Sequence, residues 1–304
     1  MTVKPQTVKP QPVTPQTVKP QPVKPQPVAT AVSTQSTDPP AVVAENIGKI
    51  FTSKKGATLT ALEEISLTVT RGEFVSLIGP SGCGKSTLMR LIADLDQPTS
   101  GSLTVFGKTA KQARLDQDYG IAFQQAGLLP WRSVRANIEL PLELHGSSKA
   151  ARARRAAELL SLVGLTDFGE NYPDQLSGGM QQRVAIARSL AESPNLLLMD
   201  EPFGALDEMT REHMQAELAH ICGETNAAVV FVTHSIPEAV FLANRVVVMS
   251  PRPGRIRAIV DVGLGDSRQR TDELREDEAF FACVSEVREH LRGTSVAAPG
   301  MDSR

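Results

Sequence analysis

Gly79-Pro-Ser-Gly-Cys-Gly-Lys-Ser-Thr87 is the stretch that decides the fold of this chain. It fits the pattern G-x-x-x-x-G-K-[S/T], in which the backbone N–H groups of a glycine-rich loop surround a phosphate group. The apolar segment Glu73–Ile78 before it predicts a buried strand, and the apolar spacing of Ser86–Leu95 after it predicts a helix. An ordinary glycine-rich turn would explain the letters but not this context. We therefore predict a phosphate-binding loop.

The chemistry expected of this loop follows from its residue types. Glycines leave bare backbone, so that polyphosphate oxygens can come close. Lys85 is expected to reach the β- and γ-phosphates of a nucleotide, and the Ser86 hydroxyl to hold Mg²⁺. The predicted nucleotide-binding residues of the loop are Gly79, Pro80, Ser81, Gly82, Cys83, Gly84, Lys85, Ser86 and Thr87.

Two acids follow a second apolar segment, Asn195-Leu-Leu-Leu-Met-Asp-Glu201. The carboxyl end of a strand in an open parallel sheet lies at the same edge as the phosphate loop. Asp200 is therefore expected to hold the Mg²⁺ shell, and Glu201 to polarise the attacking water as a general base. A surface acid pair after a buried strand is the alternative interpretation.

Four more short motifs accompany these two nucleotide elements. They are Phe123-Gln124, Leu176-Ser-Gly-Gly-Met-Gln-Gln-Arg183, Gly204-Ala-Leu-Asp207 and Thr233-His234. In this order they resemble the Q-loop, signature motif, D-loop and switch histidine of ABC ATPases, and the resemblance covers about residues 42 to 260. The commonest signature has Gln where Met180 stands. The complete set distinguishes this family from kinases and GTPases, which share only the phosphate loop.

The resemblance implies a fold class and a set of ligands. The fold is α/β: a P-loop NTPase core with a mostly parallel sheet and flanking helices, an antiparallel β subdomain and an inserted α-helical subdomain. The ligands are ATP and Mg²⁺, with Gln124 at the metal and His234 at the γ-phosphate. A homodimer is implied, in which Ser177, Gly178, Gly179 and Asp207 complete the ATP site of the partner subunit.

Each of these residues also has a plainer interpretation. Ser177 before the predicted helix 180–190 is a plausible N-cap that needs no ligand. His234, at the end of the apolar run Ala228–Thr233, could be a hydrogen-bonded structural residue. Phe51 stands where the family has an aromatic ring on adenine, more often Tyr, and could instead be a packing residue.

Three stretches narrow the resemblance to the nitrate/sulfonate/taurine importer ATPases. They are Leu128-Leu-Pro-Trp131, Asp200–Asp207 followed by Met209-Thr-Arg211, and Met249–Ile256. This implies a bacterial importer with a separate transmembrane permease, an extracytoplasmic solute-binding protein and a place on the cytoplasmic face of the inner membrane. The rival hypotheses are an ABC ATPase of DNA repair or translation, a regulatory nucleotide-binding module and an exporter.

The chain divides into three predicted regions. Prolines recur at positions 5, 10, 15, 20 and 25, so residues 1–40 are expected to be a disordered proline-rich repeat tail. The ABC ATPase domain is predicted over 42–265, with its helical subdomain at about 125–180. Residues 266–304 are predicted to be an amphipathic helix and tail. The segment after Gln124, with Trp131, is interpreted either as a permease contact or as local packing.

Composition excludes several other classes. The net charge of −2 and pI of about 6.2 give no field that attracts nucleic acid, so no nucleic-acid partner is expected. No apolar run reaches the roughly 18 residues that a membrane span needs. Cys83, Cys222 and Cys283 have no metal-site or disulfide spacing. These features favour the cytoplasm.

Overall fold

The computed structural model describes residues 38–54, 56–265 and 270–293. The predicted proline-rich tail lies outside the described residues except for its last three positions, 38–40. The end of the predicted C-terminal segment, residues 294–304, lies outside them too.

The central sheet places the carboxyl ends of its parallel strands along one edge. Among the described residues its order is β10-β9-β3-β8-β7-β6. The strands are β3 (Phe74–Ile78), β6 (Tyr119–Ala122), β7 (Leu196–Asp200), β8 (Ala228–Val232), β9 (Arg245–Met249) and β10 (Ile256–Asp261). All neighbours are parallel except β10, which is antiparallel to β9. β3, β7 and β8 are buried along their whole length, as expected for parallel strands covered on both faces.

A second, antiparallel sheet covers one side of this core. In the described part of the chain its order is β2-β1-β4-β5. Its strands are β1 (Val42–Thr52), β2 (Thr58–Val69), β4 (Ser100–Val105) and β5 (Lys108–Thr109). The pleat of β3 divides its side chains, so that Val75 and Leu77 join the apolar cluster under this sheet while Phe74 and Ile78 join the cluster under the helices. The strands from residues 100–109 were not foreseen from the sequence.

The helices follow the strands and an insert between them. They are α1 (Lys85–Ile92), α2 (Ala110–Leu115), α3 (Val134–Leu144), α4 (Lys149–Leu162), α5 (Gly178–Ser189), α6 (Glu208–Thr225), α7 (Ile236–Leu242) and α8 (Glu278–Arg292). Side-chain oxygens accept a backbone N–H at the starts of seven of them, the N-caps being Thr109, Ser133, Ser148, Ser177, Asp207, Ser235 and Asp277. The mixed α/β architecture expected from the sequence is confirmed.

The C-terminal segment is fastened to α7. Arg270 Nη1 donates to the carbonyls of Val240, Phe241 and Ala243 at 2.8–2.9 Å, which satisfies acceptors left open at the helix end. The Arg275 guanidinium lies 3.8 Å from the centre of the Phe241 ring. The amphipathic helix predicted here is present as α8. No helix among the described residues is long and apolar enough to cross a bilayer.

Candidate nucleotide-binding and hydrolysis site

The phosphate loop connects β3 to α1 and depends on glycine at two left-handed positions. Gly82 has a φ of 76° and Gly84 a φ of 103°. A Cβ on Gly84 would stand 2.5 Å from Leu62 Cδ2 and 3.1 Å from the Ala61 carbonyl oxygen. The phosphate loop therefore packs directly against β2, and any side chain at position 84 would push the loop away from this strand.

Lys85 is the first residue of α1 and turns back into the loop. Its Nζ donates to the Gly79 carbonyl at 2.8 Å and to the Pro80 carbonyl at 3.3 Å. The residue is only 7% exposed. Because a buried ammonium needs acceptors, these carbonyls stabilise the charge inside the loop.

Asp200 lies at the end of β7, with Ser86 beside it. Burial raises the pKa of the Asp200 carboxyl; a hydrogen bond from Ser86 opposes this rise, and the neighbouring Glu201 charge adds to it. A buried carboxylate next to a hydroxyl is an oxygen donor set that suits Mg²⁺, and a divalent cation would relieve the cost of the buried charge. These residues therefore fit the metal that the sequence motifs imply.

Glu201, Gln124 and His234 meet although they follow three different strands. Gln124 Nε2 donates to Glu201 Oε2 at 3.2 Å, and His234 Nδ1 lies 3.3 Å from the same oxygen. Glu201 itself has a φ of 46°, and its N–H donates to the Val232 carbonyl at 2.8 Å. One carboxylate oxygen is thus oriented by an amide and an imidazole.

A cleft of about 320 Å³ unites most of the predicted site. Its lining comprises Phe51, Leu59, Ala61, Ser81, Gly82, Gly84, Lys85, Ser86, Thr87, Gln124, Glu201, His234 and Arg252. Phe51 is 40% exposed and lines the cleft, and its expected contact with adenine stays a prediction. Gly79, Pro80 and Cys83 accept hydrogen bonds from Lys85 Nζ and do not line the cleft. Asp200, hydrogen-bonded to Ser86, does not line it either.

Four further predicted residues, all outside the phosphate loop and the acid pair, do not line this cleft either. Ser177 caps α5 by accepting the Met180 N–H at 3.3 Å, as expected, and Gly178 has no atom within 4 Å of the place a Cβ would take. Gly179 faces the Ala205 carbonyl. Asp207 caps α6, and the N–H of Thr210 lowers the pKa of this carboxyl.

Two residues of α5 that sequence reasoning missed hold the loop after β6. Gln182, which is 2% exposed, donates to the Phe123 carbonyl at 3.0 Å. Arg188 donates to the carbonyls of Ala126 at 2.8 Å and Gly127 at 3.0 Å. The helix that begins at Ser177 is thereby tied to the segment that carries Gln124.

A buried carboxyl near His234 was missed as well. Glu238 accepts hydrogen bonds from Thr233 Oγ1 and, at 2.9 Å, from Gln215 Nε2. Arg275 donates to Gln215 Oε1 at 2.6 Å. The residue before His234 is therefore linked to α6 and to the C-terminal segment. The pattern of apolar residues gives no sign of this polar network.

Comparison with known proteins places these features in a family. A profile of the ABC transporter family matches residues 62–204. A nitrate import ATP-binding protein of Synechocystis sp. is 45% identical over 252 residues, which span 82% of this chain and 94% of that protein. The chain belongs to the ABC transporter family. A taurine import ATP-binding protein of Rhizobium johnstonii is 46% identical over 242 residues, or 80% of this chain and 91% of that protein.

A solved structure agrees with this assignment. It is a dimeric, post-hydrolysis state of an ATP-binding cassette bound to ADP and phosphate, with a TM-score of 0.68 and 35% identity. The match covers 73% of this chain and 98% of that one. The prediction of an ABC ATPase with an ATP-binding domain is confirmed.

Proposed function

We propose that this ABC ATPase powers an importer that takes up a small solute, such as nitrate, a sulfonate or taurine, through a separate membrane permease. The observation that carries the proposal is the cluster of Gln124, Glu201 and His234 at the phosphate-loop cleft. An intact cluster of this kind supports hydrolysis rather than a purely regulatory role. The importer names of the relatives from Synechocystis and Rhizobium support the direction of transport.

Hydrolysis is assigned to the residues that line the cleft. The glycine-rich loop and Lys85 bind the phosphates of ATP, and Phe51 stacks on the adenine. Glu201 orients a water for in-line attack and accepts its proton, while Gln124 and His234 hold the carboxylate in place. Mg²⁺, held by Ser86, Asp200 and Gln124, would neutralise charge on the phosphates.

The second half of the site is assigned to another copy of the chain. Ser177 and Gly178 begin a helix whose N-terminus favours an anion, yet they lie outside their own chain's cleft. A head-to-tail homodimer would bring them to the partner's ATP, with Asp207 nearby. The dimeric ADP-bound relative supports this arrangement.

The permease is assigned to a surface beside the segment that follows Gln124. A cleft of about 350 Å³ lies there, and Phe123, Leu140 and Leu144 contribute to its lining. Trp131 is 71% exposed and Leu144 is 74% exposed. An exposed apolar set of this kind is typical of an interface. We place this surface against the permease at the cytoplasmic face of the membrane, with an extracytoplasmic solute-binding protein on the far side.

Reconstitution tests the transport function. The chain would be purified with its permease and solute-binding protein, sought first among the products of neighbouring genes, and phosphate release measured in liposomes with nitrate, taurine, an alkanesulfonate or bicarbonate. We expect one solute to stimulate hydrolysis in the complex, and none to stimulate it in a Lys85→Ala complex. The surface variant Lys111→Ala is the charge control. Hydrolysis that no solute changes, in a complex that binds its solute, would contradict the proposal.

A single substitution tests the permease surface. Trp131→Ala should reduce solute-stimulated hydrolysis more than it reduces ATP binding, because the ring contacts the permease and not the nucleotide. Phe281→Ala removes another exposed aromatic ring, on α8, and should change neither. Equal losses of binding and stimulation in Trp131→Ala would assign the ring to local packing instead.

A further inference from the structure

The loop after β9 packs directly onto the phosphate loop. The Gly254 N–H donates to the Ala61 carbonyl at 2.9 Å, and the Gly254 carbonyl accepts the Glu63 N–H at 3.0 Å. A Cβ on Gly254 would stand 1.9 Å from the Cys83 carbonyl oxygen. We call residues 250–255 the arginine loop. It forms a third wall around the phosphate loop, next to β2.

The arginine loop is braced from within. Ser250 Oγ accepts the Arg255 N–H at 3.0 Å and donates to the Pro251 and Pro253 carbonyls at 3.1 and 3.2 Å. On its outer side Arg255 forms an exposed ion pair with Glu63 at 2.8 Å, which adds little to this bracing. Prolines restrict the backbone further. The loop therefore holds its residues in place before any ligand arrives.

Arg252 is the residue that this bracing directs at the nucleotide cleft. Its Nε and Nη2 donate to the Gly82 carbonyl at 3.3 and 3.2 Å. Nη2 also lies 3.0 Å from the place a Cβ of Gly82 would take, so glycine leaves room for this approach. Nη1 makes no hydrogen bond within the described residues, and Arg252 is exposed. A guanidinium with a free donor thus faces the cleft.

Arg252 places a positive charge at the edge of the nucleotide cleft. Lys85 and Arg252 are the two Lys or Arg side chains among the described residues that line the cleft. Lys85 is buried against loop carbonyls, whereas Arg252 is open to solvent. A nucleotide carries several negative charges, and a guanidinium binds phosphate through directed hydrogen bonds.

We infer that Arg252 is a further nucleotide-binding residue, which donates to phosphate or ribose oxygens from the side of the cleft that carries Phe51. The inference rests on the proposed binding of ATP in this cleft. The arginine loop is attached to β2 and not to the Gln124–Glu201–His234 cluster, where hydrolysis is assigned. Arg252 therefore contacts a part of the nucleotide that ATP and ADP share, and it binds both alike. Its loss therefore raises KM and leaves kcat unchanged.

The test is ADP binding to the purified full-length chain, measured by calorimetry for the wild type, Arg252→Gln and Arg255→Gln. Arg255→Gln removes the same charge from the far side of the same loop. We expect Arg252→Gln to weaken ADP binding about tenfold, the usual loss for one charge-assisted hydrogen bond. Arg255→Gln should change it less than about twofold. The melting temperature without nucleotide should be the same for Arg252→Gln and the wild type.

Salt separates direct binding from a purely structural role. Between about 50 mM and about 500 mM NaCl, ADP affinity should fall more steeply in the wild type than in Arg252→Gln. Salt screens the ion contact between Arg252 and ADP, which the wild type has and the variant lacks. Equal ADP affinities, or a loss that is the same at every salt concentration, would overturn the inference. Lys85→Ala checks the site itself: ADP binding that survives in this variant would place the nucleotide elsewhere and refute the proposed cleft.

Discussion

The phosphate loop and the start of α5 are both glycine-rich helix starts, but the chain builds them in opposite ways. Gly84 is packed against β2, and the arginine loop, which is bonded to β2, packs against the phosphate loop as well. At the start of α5, a Cβ on Gly178 would meet open space, and the Ser177 hydroxyl accepts a hydrogen bond from Met180 of its own helix. One helix start is completed by its own chain, whereas the other leaves bare backbone exposed at Gly178. This difference is what a site shared between two copies requires.

The largest expected effect on turnover comes from Glu201→Gln, in the half of the site that contains the phosphate loop. Turnover should fall at least about a hundredfold, because the general base is lost while the cleft keeps its shape. ATP should still bind, so a closed ATP-loaded dimer should accumulate. Phosphate release and size-exclusion chromatography measure the two effects. Glu224→Gln, an exposed carboxylate on α6, is the matched control. Unchanged turnover in Glu201→Gln would move the base to another residue.

A comparison of two serine N-caps can separate the structural role of Ser177, at the start of α5, from its proposed role in ligand binding. Ser177 and Ser148 each accept one N–H at 3.3 Å at the start of a helix. Replacing either by alanine should cost about 1 kcal/mol of unfolding free energy, measured by denaturant titration. Turnover should fall at least about tenfold in Ser177→Ala alone, because in the proposed dimer only this hydroxyl also binds the partner's nucleotide. If both variants keep full turnover, Ser177 is a cap and nothing more.

Two glycines test the packing contrast directly. Gly254→Ala forces a Cβ against the Cys83 carbonyl and should cost about 1–3 kcal/mol of unfolding free energy, with weaker ADP binding. Gly178→Ala meets no atom and should gain up to about 1 kcal/mol, since alanine favours the helix. Gly178→Ala should nevertheless lose turnover, because its methyl group blocks the partner's nucleotide. A Gly178→Ala protein with normal turnover would remove the partner from the site.

The smallest expected effect is a pH dependence of the free energy of unfolding, which arises from Glu238, the buried carboxyl near His234. Burial raises the pKa of Glu238, so the folded protein holds this proton at pH values where the unfolded chain has released it. The free energy of unfolding should therefore fall as pH rises from the ordinary carboxyl value of 4.5 through the higher folded value. Denaturant titrations across this range should show a flatter profile for Glu238→Gln. The exposed Glu224→Gln should keep the wild-type profile, and a wild-type profile in Glu238→Gln would contradict the assignment.

The sequence predicted those parts of the site that are local in the chain. The phosphate loop, the acid pair after β7 and the serine before α5 each occupy a few consecutive residues, and continuous apolar runs identified the buried strands beside them. Arg252, Gln182 and Glu238 were missed for the opposite reason. Arg252 binds a carbonyl 170 positions away and Gln182 one 59 positions away. No periodicity encodes such pairs, because packing of distant elements creates them. The domain boundaries stay predictions, and so do the ligand roles of the individual residues.

The left-handed backbone of Glu201 has a consequence for engineering. A residue with a Cβ in this conformation is disfavoured by about 1–2 kcal/mol, and glycine would relieve that strain. A variant with glycine here should withstand more heat than the natural chain and hydrolyse almost nothing. Laboratory evolution that rewards heat resistance alone would therefore eliminate Glu201, the proposed general base, early, so a screen on this enzyme has to select for turnover and thermal tolerance together.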